Sequence, residues 1–186
     1  MLVKSGGCGI IITAGCPKDP QETTQNQVIK VEKTNAIRQL DRKKAAYRVH
    51  AYEGGALSGT EVAVALGQDA ARVFKTLVTV GKSGGHFVFM LPVAASLDLK
   101  KAAAAVGEKS LSMLPQKELL PLTGYVHGGC SPIGMKKQFP TVIHESAAGF
   151  ATICFSAGRI GLQIETSPAV LAEIVPLQTA DIVEAD

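Results

Sequence analysis

One apolar hairpin limits the folds that are open to this chain. Residues 73–80 (VFKTLVTV) are almost entirely apolar or β-branched, which is typical of a strand inside a sheet. Residues 82–85 (KSGG) supply turn-forming side chains, and residues 86–91 (HFVFML) are apolar again. Two such runs joined by a short glycine-containing turn predict an antiparallel hairpin. The core is therefore expected to form on a sheet.

Short helices and further strands follow one another irregularly around this hairpin. Because they do not keep a strict strand–helix–strand rhythm, we predict an α+β fold. Its sheet is expected to be strongly curved, barrel-like and mixed but mostly antiparallel, with short helices on its flanks. Helix starts are predicted at Thr34, Ser58, Ser96 or Asp98, Pro115 as the first helical residue, and Ser167, with the last helix reaching Ile174. Further strands are predicted at 47–52, 109–113, 141–144, 151–155, 162–165 and 181–183.

The chain has 186 residues, 46% of them hydrophobic, which is enough for one domain with its own core. We predict a flexible extension over residues 1–33 and a folded domain over residues 34–186, since the stretch after Cys16 is polar and aperiodic. The apolar run 10–12 is too short for an export signal, and no segment has membrane-spanning length. We therefore expect a cytoplasmic protein without a membrane partner.

The net charge of +3 is compatible with an anionic partner but lower than that of a dedicated nucleic-acid binder. The cysteines at 8, 16, 130 and 154 form no close pair, and the four histidines are scattered. Zinc knuckles and redox motifs need close spacing, so we expect neither a metal nor a cofactor.

Residues 123–137 (TGYVHGGCSPIGMKK) combine four glycines with few apolar side chains. Such a loop can present backbone N–H groups to a bound oxygen, as a phosphate nest or an oxyanion hole does. The alternative is a tight connection between two strands. Cys130 lies near His127 in this loop, but no oriented base and third group accompany it, so we expect Cys130 to be a packing residue.

Lys75 interrupts the first strand of the hairpin. Its side chain lies either at a sheet edge, in solvent, or in a cleft, where the ammonium would hold an anionic or carbonyl oxygen. Tyr52 ends the preceding strand and lines the same cleft in one interpretation, or is a half-buried structural tyrosine in the other. Ser156, Gly158 and Arg159 form either a second polar loop of the site or an ordinary hairpin turn.

Three blocks together resemble the YbaK family of freestanding aminoacyl-tRNA deacylases. They are residues 74–77 (FKTL), residues 123–137 and residues 156–162 (SAGRIGL), in this order and spacing. That family is related to the editing domain inserted in bacterial prolyl-tRNA synthetases, and the resemblance extends from about Thr34 to the C-terminus. It implies hydrolysis of the ester between a mischarged amino acid and the terminal ribose of tRNA. The match is best with the Cys-tRNA(Pro) deacylase branch, in which the thiol of the substrate attacks its own carbonyl.

The resemblance also implies roles for individual residues. Lys75 and Gly129 are the implied catalytic residues: Lys75 anchors the tRNA terminus and the reacting ester, and Gly129 contributes backbone donors around the carbonyl. Two positions depart from the family pattern, Cys130 where we expect an aliphatic residue and Gln163 where some relatives carry an acid. The implied substrate-binding residues are Tyr52, Phe74, Gly128, Ser131, Ser156, Gly158 and Arg159.

The implied function is deacylation of mischarged Cys-tRNA(Pro), extending to Cys-tRNA(Cys). The expected partners are the acceptor end of aminoacyl-tRNA and prolyl-tRNA synthetase, which would read tRNA identity for a domain of such modest charge. Two alternatives stay open. One is a deacylase for another small aminoacyl group, such as that of Ala-tRNA(Pro), and the other is a non-catalytic module that binds the tRNA end or a nucleotide.

Overall fold

The computed structural model describes residues 32–55 and 57–185, so almost all of the predicted N-terminal extension lies outside the described residues. The helices are α1 (Asn35–Arg42), α2 (Gly59–Ala65), α3 (Leu99–Val106), α4 (Gln116–Thr123) and α5 (Pro168–Ala172). The strands are β1 (Arg48–Ala51), β2 (Phe74–Gly81), β3 (His86–Pro92), β4 (Leu111–Met113), β5 (Thr141–His144), β6 (Ile153–Ser156), β7 (Leu162–Thr166) and β8 (Leu177–Ala180). Two short 3-10 helices cover Ala70–Arg72 and Glu145–Gly149.

The predicted hairpin is confirmed and forms the centre of the larger sheet. Strands β2 and β3 pair antiparallel along their whole length, from Phe74 opposite Pro92 to Val80 opposite His86. The sheet has five strands in the order β4-β2-β3-β5-β8, and a second sheet has three in the order β1-β7-β6. The β3–β5 and β5–β8 pairs are parallel, so the α+β fold with a mixed sheet is confirmed.

The prediction of one barrel-like sheet is wrong, because the strands form two open sheets. A barrel needs a continuous ladder of hydrogen bonds around its circumference. Where β2 approaches β6, the described residues form only one isolated parallel bridge, between Val73 and Cys154. Beyond that bridge β2 pairs with β3, and its other edge pairs with β4 only over residues 79–81. Between these points, no strand of the described residues pairs with this edge of β2.

The predicted starts of the helices are largely confirmed. The side chains of Thr34, Ser58 and Ser167 each accept a backbone N–H in the first turn of their helix, and Ser58 forms the complete capping box with Glu61. Of the two candidates for α3, Asp98 is the cap. Helix α4 begins at Gln116, so Pro115 is the N-cap residue rather than the first helical residue that we predicted.

The C-terminal region departs most from prediction. Helix α5 ends at Ala172 rather than Ile174, and the last strand is Leu177–Ala180 rather than 181–183. Val183 forms only an isolated bridge with Leu97. Strand β8 is stabilised by its parallel pairing with β5, a long-range contact that a polar sequence such as LQTA does not signal.

The largest core cluster packs α1 and α5 together with residues of both sheets. Ile37 and Leu40 of α1 are fully buried in it, together with Phe155 of β6. The N-terminus of α1 is also fastened to the turn after β6, since the Thr34 hydroxyl donates to the carbonyl of Ala157 at 2.6 Å. None of the helices in the described residues is long and apolar enough to cross a bilayer.

Candidate active site

A cavity of about 410 Å³ opens where the two sheets separate, beside the unpaired edge of β2. The N-terminus of α2 and residues of α4 form parts of its wall, and the glycine-rich loop after α4 forms another. The missing ladder between β2 and β6 thus leaves the space in which a ligand would lie. Of the residues predicted for a site, the cavity brings together Tyr52, Phe74, Lys75, Gly128 and Ser156.

Lys75 lines the cavity as a half-buried cation. Its Nζ donates to the carbonyl of Val93 at 3.1 Å, and no carboxylate in the described part of the chain pairs with it. Burial lowers the pKa of Lys75 below its ordinary value. An ammonium carries three donors, so two N–H groups are left for an oxygen in the cavity.

The glycine-rich loop turns its backbone toward the same space. Gly128 has a φ of +78°, which favours glycine, and it lines the cavity next to Cys130. The amide of Gly129 donates to the carbonyl of Val126 at 3.1 Å and is therefore used inside the loop. The amides of Gly128 and Cys130, in contrast, have no acceptor among the described residues. These two amides, unlike that of Gly129, are therefore not used inside the described loop.

Gly129 has a packing role that its sequence context did not reveal. A Cβ atom there would lie 3.1 Å from the backbone nitrogen of Ile160 and 3.3 Å from the carbonyl carbon of Arg159. The glycine-rich loop therefore lies directly against the turn that follows β6. The role in catalysis predicted for Gly129 stays a prediction.

The remaining predicted residues do not reach the cavity wall. Ser131 is fully buried, and its hydroxyl accepts the amide of Ile133 at 3.3 Å. Gly158 lies against the ring of Tyr125. The side chain of Arg159 is 60% exposed and lies 3.7 Å from the carboxylate of Glu32, in solvent. The direction of each of these groups depends on turn geometry that spacing alone does not specify.

Tyr125 connects the two loops, and sequence reasoning missed this role. It is buried, and its hydroxyl donates to the carbonyl of Ile133 at 2.7 Å. A Cβ atom on Gly158 would come within 2.6 Å of its ring, and one on Gly134 within 2.7 Å of its hydroxyl oxygen. The available signal was an aromatic residue surrounded by glycines, a pattern that indicates ring packing against bare backbone.

Two polar side chains in the cavity wall lack partners. The Oγ1 of Thr76 and the Oε1 of Gln163 are buried and accept or donate no hydrogen bond within the described residues. Buried polar groups are nearly always paired with protein or water, so these two atoms are exceptions in the described part of the chain. Sequence reasoning singled out Gln163 only as a departure from a family pattern and did not consider Thr76 for the site.

A buried ionic network fastens the start of β2 to the smaller sheet. Glu165 lies 2.7 Å from His50 and 3.1 Å from Arg72, and it accepts the Thr152 hydroxyl at 2.6 Å. Burial alone would raise the pKa of Glu165, but the hydrogen bonds from Thr152 and His50, together with the charge interactions with His50 and Arg72, outweigh it and hold the pKa below its ordinary value. Since Arg72 precedes Val73 and β2, this network holds the strand that carries Lys75.

Donor atoms of His50, Cys154 and Glu165 lie within 4.8 Å of one another, a spacing that a metal ion could bridge. Without a metal, the guanidinium of Arg72 pairs with the Glu165 carboxylate at 3.1 Å, and burial raises the pKa of the Cys154 thiol to about 12.

Comparisons with known proteins agree with this arrangement. The family described as the aminoacyl-tRNA editing domain matches residues 54–174. A protein of Enterococcus faecalis named as a Cys-tRNA(Pro)/Cys-tRNA(Cys) deacylase, EbsC, is 46% identical over 153 residues, which are 81% of this chain and 93% of that protein.

Solved structures share the fold. One described as a trans-editing enzyme for prolyl-tRNA synthetase superposes with a TM-score of 0.74 at 26% identity, over 81% of this chain and 96% of that one. Another, of a hypothetical protein, has a TM-score of 0.73 at 21% identity over 81% of this chain and all of that one, and shows the fold alone.

Proposed function

The chain belongs to the aminoacyl-tRNA editing domain family, and we propose that it is a trans-editing deacylase that hydrolyses mischarged Cys-tRNA(Pro) and also Cys-tRNA(Cys). The observation that carries the proposal is the ammonium of Lys75, which lacks a carboxylate partner among the described residues and shares a cavity with the glycine-rich loop. A passive binding module would need neither feature.

In this proposal the protein positions the aminoacyl ester and stabilises the negative charge that develops on it during the reaction. Lys75 and the amides of Gly128 and Cys130 would surround the ester, so that negative charge developing on the carbonyl oxygen meets fixed donors. Gly129 would act by holding these amides against the turn after β6. Tyr52, Phe74 and Ser156 would line the space for the aminoacyl group.

The nucleophile is assigned to the substrate. The cysteinyl sulfur forms a bond to its own carbonyl carbon, the bond from that carbon to the ribose oxygen breaks, and the thiol proton passes to the leaving ribose hydroxyl. Water then opens the cyclic thioester to give free cysteine. This sequence of steps needs no base or nucleophile from the protein. We further propose that it takes place in the cytoplasm, with prolyl-tRNA synthetase as a partner.

Incubation with radiolabelled Cys-tRNA(Pro), Cys-tRNA(Cys), Ala-tRNA(Pro) and Pro-tRNA(Pro) tests the function. We expect the label to be lost from both cysteinyl substrates and retained on the other two. Loss from Ala-tRNA(Pro) instead would indicate a deacylase for another small amino acid. Retention on all four would favour the non-catalytic binding module.

Replacement of Cys130 by alanine is expected to leave the deacylation rate nearly unchanged. Burial raises the pKa of this thiol to about 12, so it is protonated at neutral pH. His127 lines the same cavity, but no hydrogen bond joins the two side chains in the described structure. Single-turnover deacylation measures the effect, with thermal unfolding as a control for the lost packing. Complete loss of activity in a folded variant would restore Cys130 as a nucleophile.

A further inference from the structure

A second groove, with a volume of about 400 Å³, lies at the far end of the glycine-rich loop. We call it the basic groove and define it by its polar lining residues: Gln39, Arg42 and Lys43 at the end of α1, and Lys137 and Gln138 after the loop. Pro132, Gly134, Met135, Ile174 and Val175 complete its wall.

The charge of the basic groove is uncompensated. Arg42, Lys43 and Lys137 are exposed, no acid lines the groove, and none of the three forms an ion pair within the described residues. The acid nearest in sequence, Asp41, is occupied elsewhere, since it pairs with Lys33 and accepts the Tyr47 hydroxyl at 2.6 Å. Three cations around a concave surface attract an anion with several charges.

The two consecutive lysines at the end of the glycine-rich loop, Lys136 and Lys137, lie on different sides of it. Lys136 turns away from the groove, and its Nζ donates to the carbonyl of Pro121 at 3.1 Å, near the end of α4. Lys137 alone of this pair lines the groove. Two segments far apart in sequence, α1 and the glycine-rich loop, therefore place cations around the same space.

The groove and the cavity are lined by neighbouring parts of one segment of chain. Gly128 and Cys130 line the cavity, and the groove is lined by Pro132, Gly134, Met135, Lys137 and Gln138. The seven residue-to-residue steps from Cys130 to Lys137 span at most ~25 Å even when the chain is fully extended. An RNA strand whose terminal ester enters the cavity would carry its nearest phosphodiesters, one negative charge each, within this range.

Resting on the proposed function, we propose that the basic groove binds the phosphodiester backbone of the RNA strand whose aminoacylated end enters the cavity. Its cations contact phosphates and the side-chain amide of Gln39 contacts sugar or phosphate oxygens, whereas that of Gln138 already donates to the carbonyl of Ile174 at 3.1 Å, so binding is independent of base sequence. The groove would hold the strand on the protein, while the cavity reads the aminoacyl group.

The test compares two triple variants with the same change in charge. In Arg42→Gln/Lys43→Gln/Lys137→Gln, the KM for Cys-tRNA(Pro) is expected to rise at least about tenfold, because each lost phosphate contact weakens binding through counterion release. The slope of log KM against log salt concentration should fall by about 2 to 3 in magnitude. The kcat is expected to stay within about twofold of the wild type, because the groove acts on binding alone. The control, Lys82→Gln/Lys100→Gln/Lys109→Gln, removes three exposed lysines outside the groove and should change none of these values.

Two further measurements separate the possible failures. Hydrolysis of the cysteine ester of adenosine, which lacks a phosphodiester, should be the same in both variants. Filter binding of uncharged tRNA should weaken only in the groove variant. Equal KM values and equal tRNA binding in the two variants would overturn the proposed role of the basic groove, even if the enzyme is active. Binding through the groove without any deacylation would overturn the proposed function instead.

A purely structural role for the groove cations is also distinguishable. Arg42 and Lys43 lie at the C-terminal end of α1, where positive charge stabilises a helix. That role would lower the melting temperature and leave KM and the salt dependence unchanged. If the triple variant does not fold, the exposed Lys137→Gln single variant replaces it, and an unchanged KM and salt dependence there would refute the proposal.

Discussion

Replacement of Lys75 by alanine is expected to reduce the single-turnover rate of Cys-tRNA(Pro) deacylation by about 10²- to 10³-fold, the usual effect of removing one preorganised donor to a developing oxyanion. Lys75 lines the cavity and has no carboxylate partner among the described residues, so its charge is available to the substrate. Water that replaced the side chain could not supply a fixed positive charge.

The same substitution should leave the fold intact. Burial lowers the pKa of Lys75, which means that the folded protein bears a cost for keeping this ammonium charged. Removing the side chain relieves that cost and loses one hydrogen bond, to the carbonyl of Val93. Circular dichroism and thermal unfolding should therefore match those of the wild type closely.

Lys82→Ala is the matched control, because Lys82 is exposed in the turn at the other end of β2. It removes the same charge from the same hairpin and should keep full activity. Unchanged turnover in the Lys75 variant would refute the assignment of Lys75. A pH series adds an independent readout. Because the pKa of Lys75 is lowered, the ammonium loses its proton at a lower pH than an ordinary lysine does, and the enzymatic rate should begin to fall there as pH rises.

Replacement of Gly134 by alanine is expected to lower the free energy of unfolding by about 2 to 5 kcal/mol. Gly134 has a φ of +79°, in the left-handed region that costs other residues about 1–2 kcal/mol. Its Cβ would also lie 2.9 Å from the backbone nitrogen of Ala36 and 2.7 Å from the hydroxyl oxygen of Tyr125. Overpacking of this kind adds about 1–3 kcal/mol.

Gly84→Ala separates the two contributions. Gly84 has a φ of +86°, but no atom lies within 4 Å of its Cβ position, so only the conformational cost of about 1–2 kcal/mol applies. Thermal and urea unfolding of both variants measure the difference. Equal destabilisation would mean that the contact between the glycine-rich loop and the start of α1 contributes nothing. Because this contact positions the loop, we expect the folded fraction of Gly134→Ala to lose deacylation activity as well.

The candidate site illustrates which residues sequence patterns can locate. Tyr52, Phe74, Lys75, Gly128 and Ser156 do share one cavity. Ser131, Gly158 and Arg159 belong to the same segments but lie outside it, because neighbouring turn residues point in different directions. Whether the amide of Gly129 is free depends on a single turn bond, its donation to the carbonyl of Val126. No residue pattern encodes that choice.

The sequence by itself determined the features that arise from contacts between near neighbours. The hairpin of β2 and β3 and the caps at Thr34, Ser58 and Ser167 depend on strand propensity, turn residues and side chains a few positions apart. Such interactions involve only residues of one short stretch of chain, so the sequence of that stretch is enough to predict them.

Only the tertiary structure decided where those elements meet. Three features depend on how segments distant in sequence are placed relative to one another. They are the open gap between β2 and β6, the parallel pairing of β8 with β5, and the packing of Tyr125 against two glycines. The basic groove, in which α1 and the glycine-rich loop place their cations together, depends on such placement as well. The sequence does not specify these features because a strand edge can pair with any suitable strand, and a ring or a charge can contact any suitable partner. Many long-range contacts compete, and only the folded structure shows which of them form. The cavity lies beside the part of β2 that pairs with neither β4 nor β6 in the described structure.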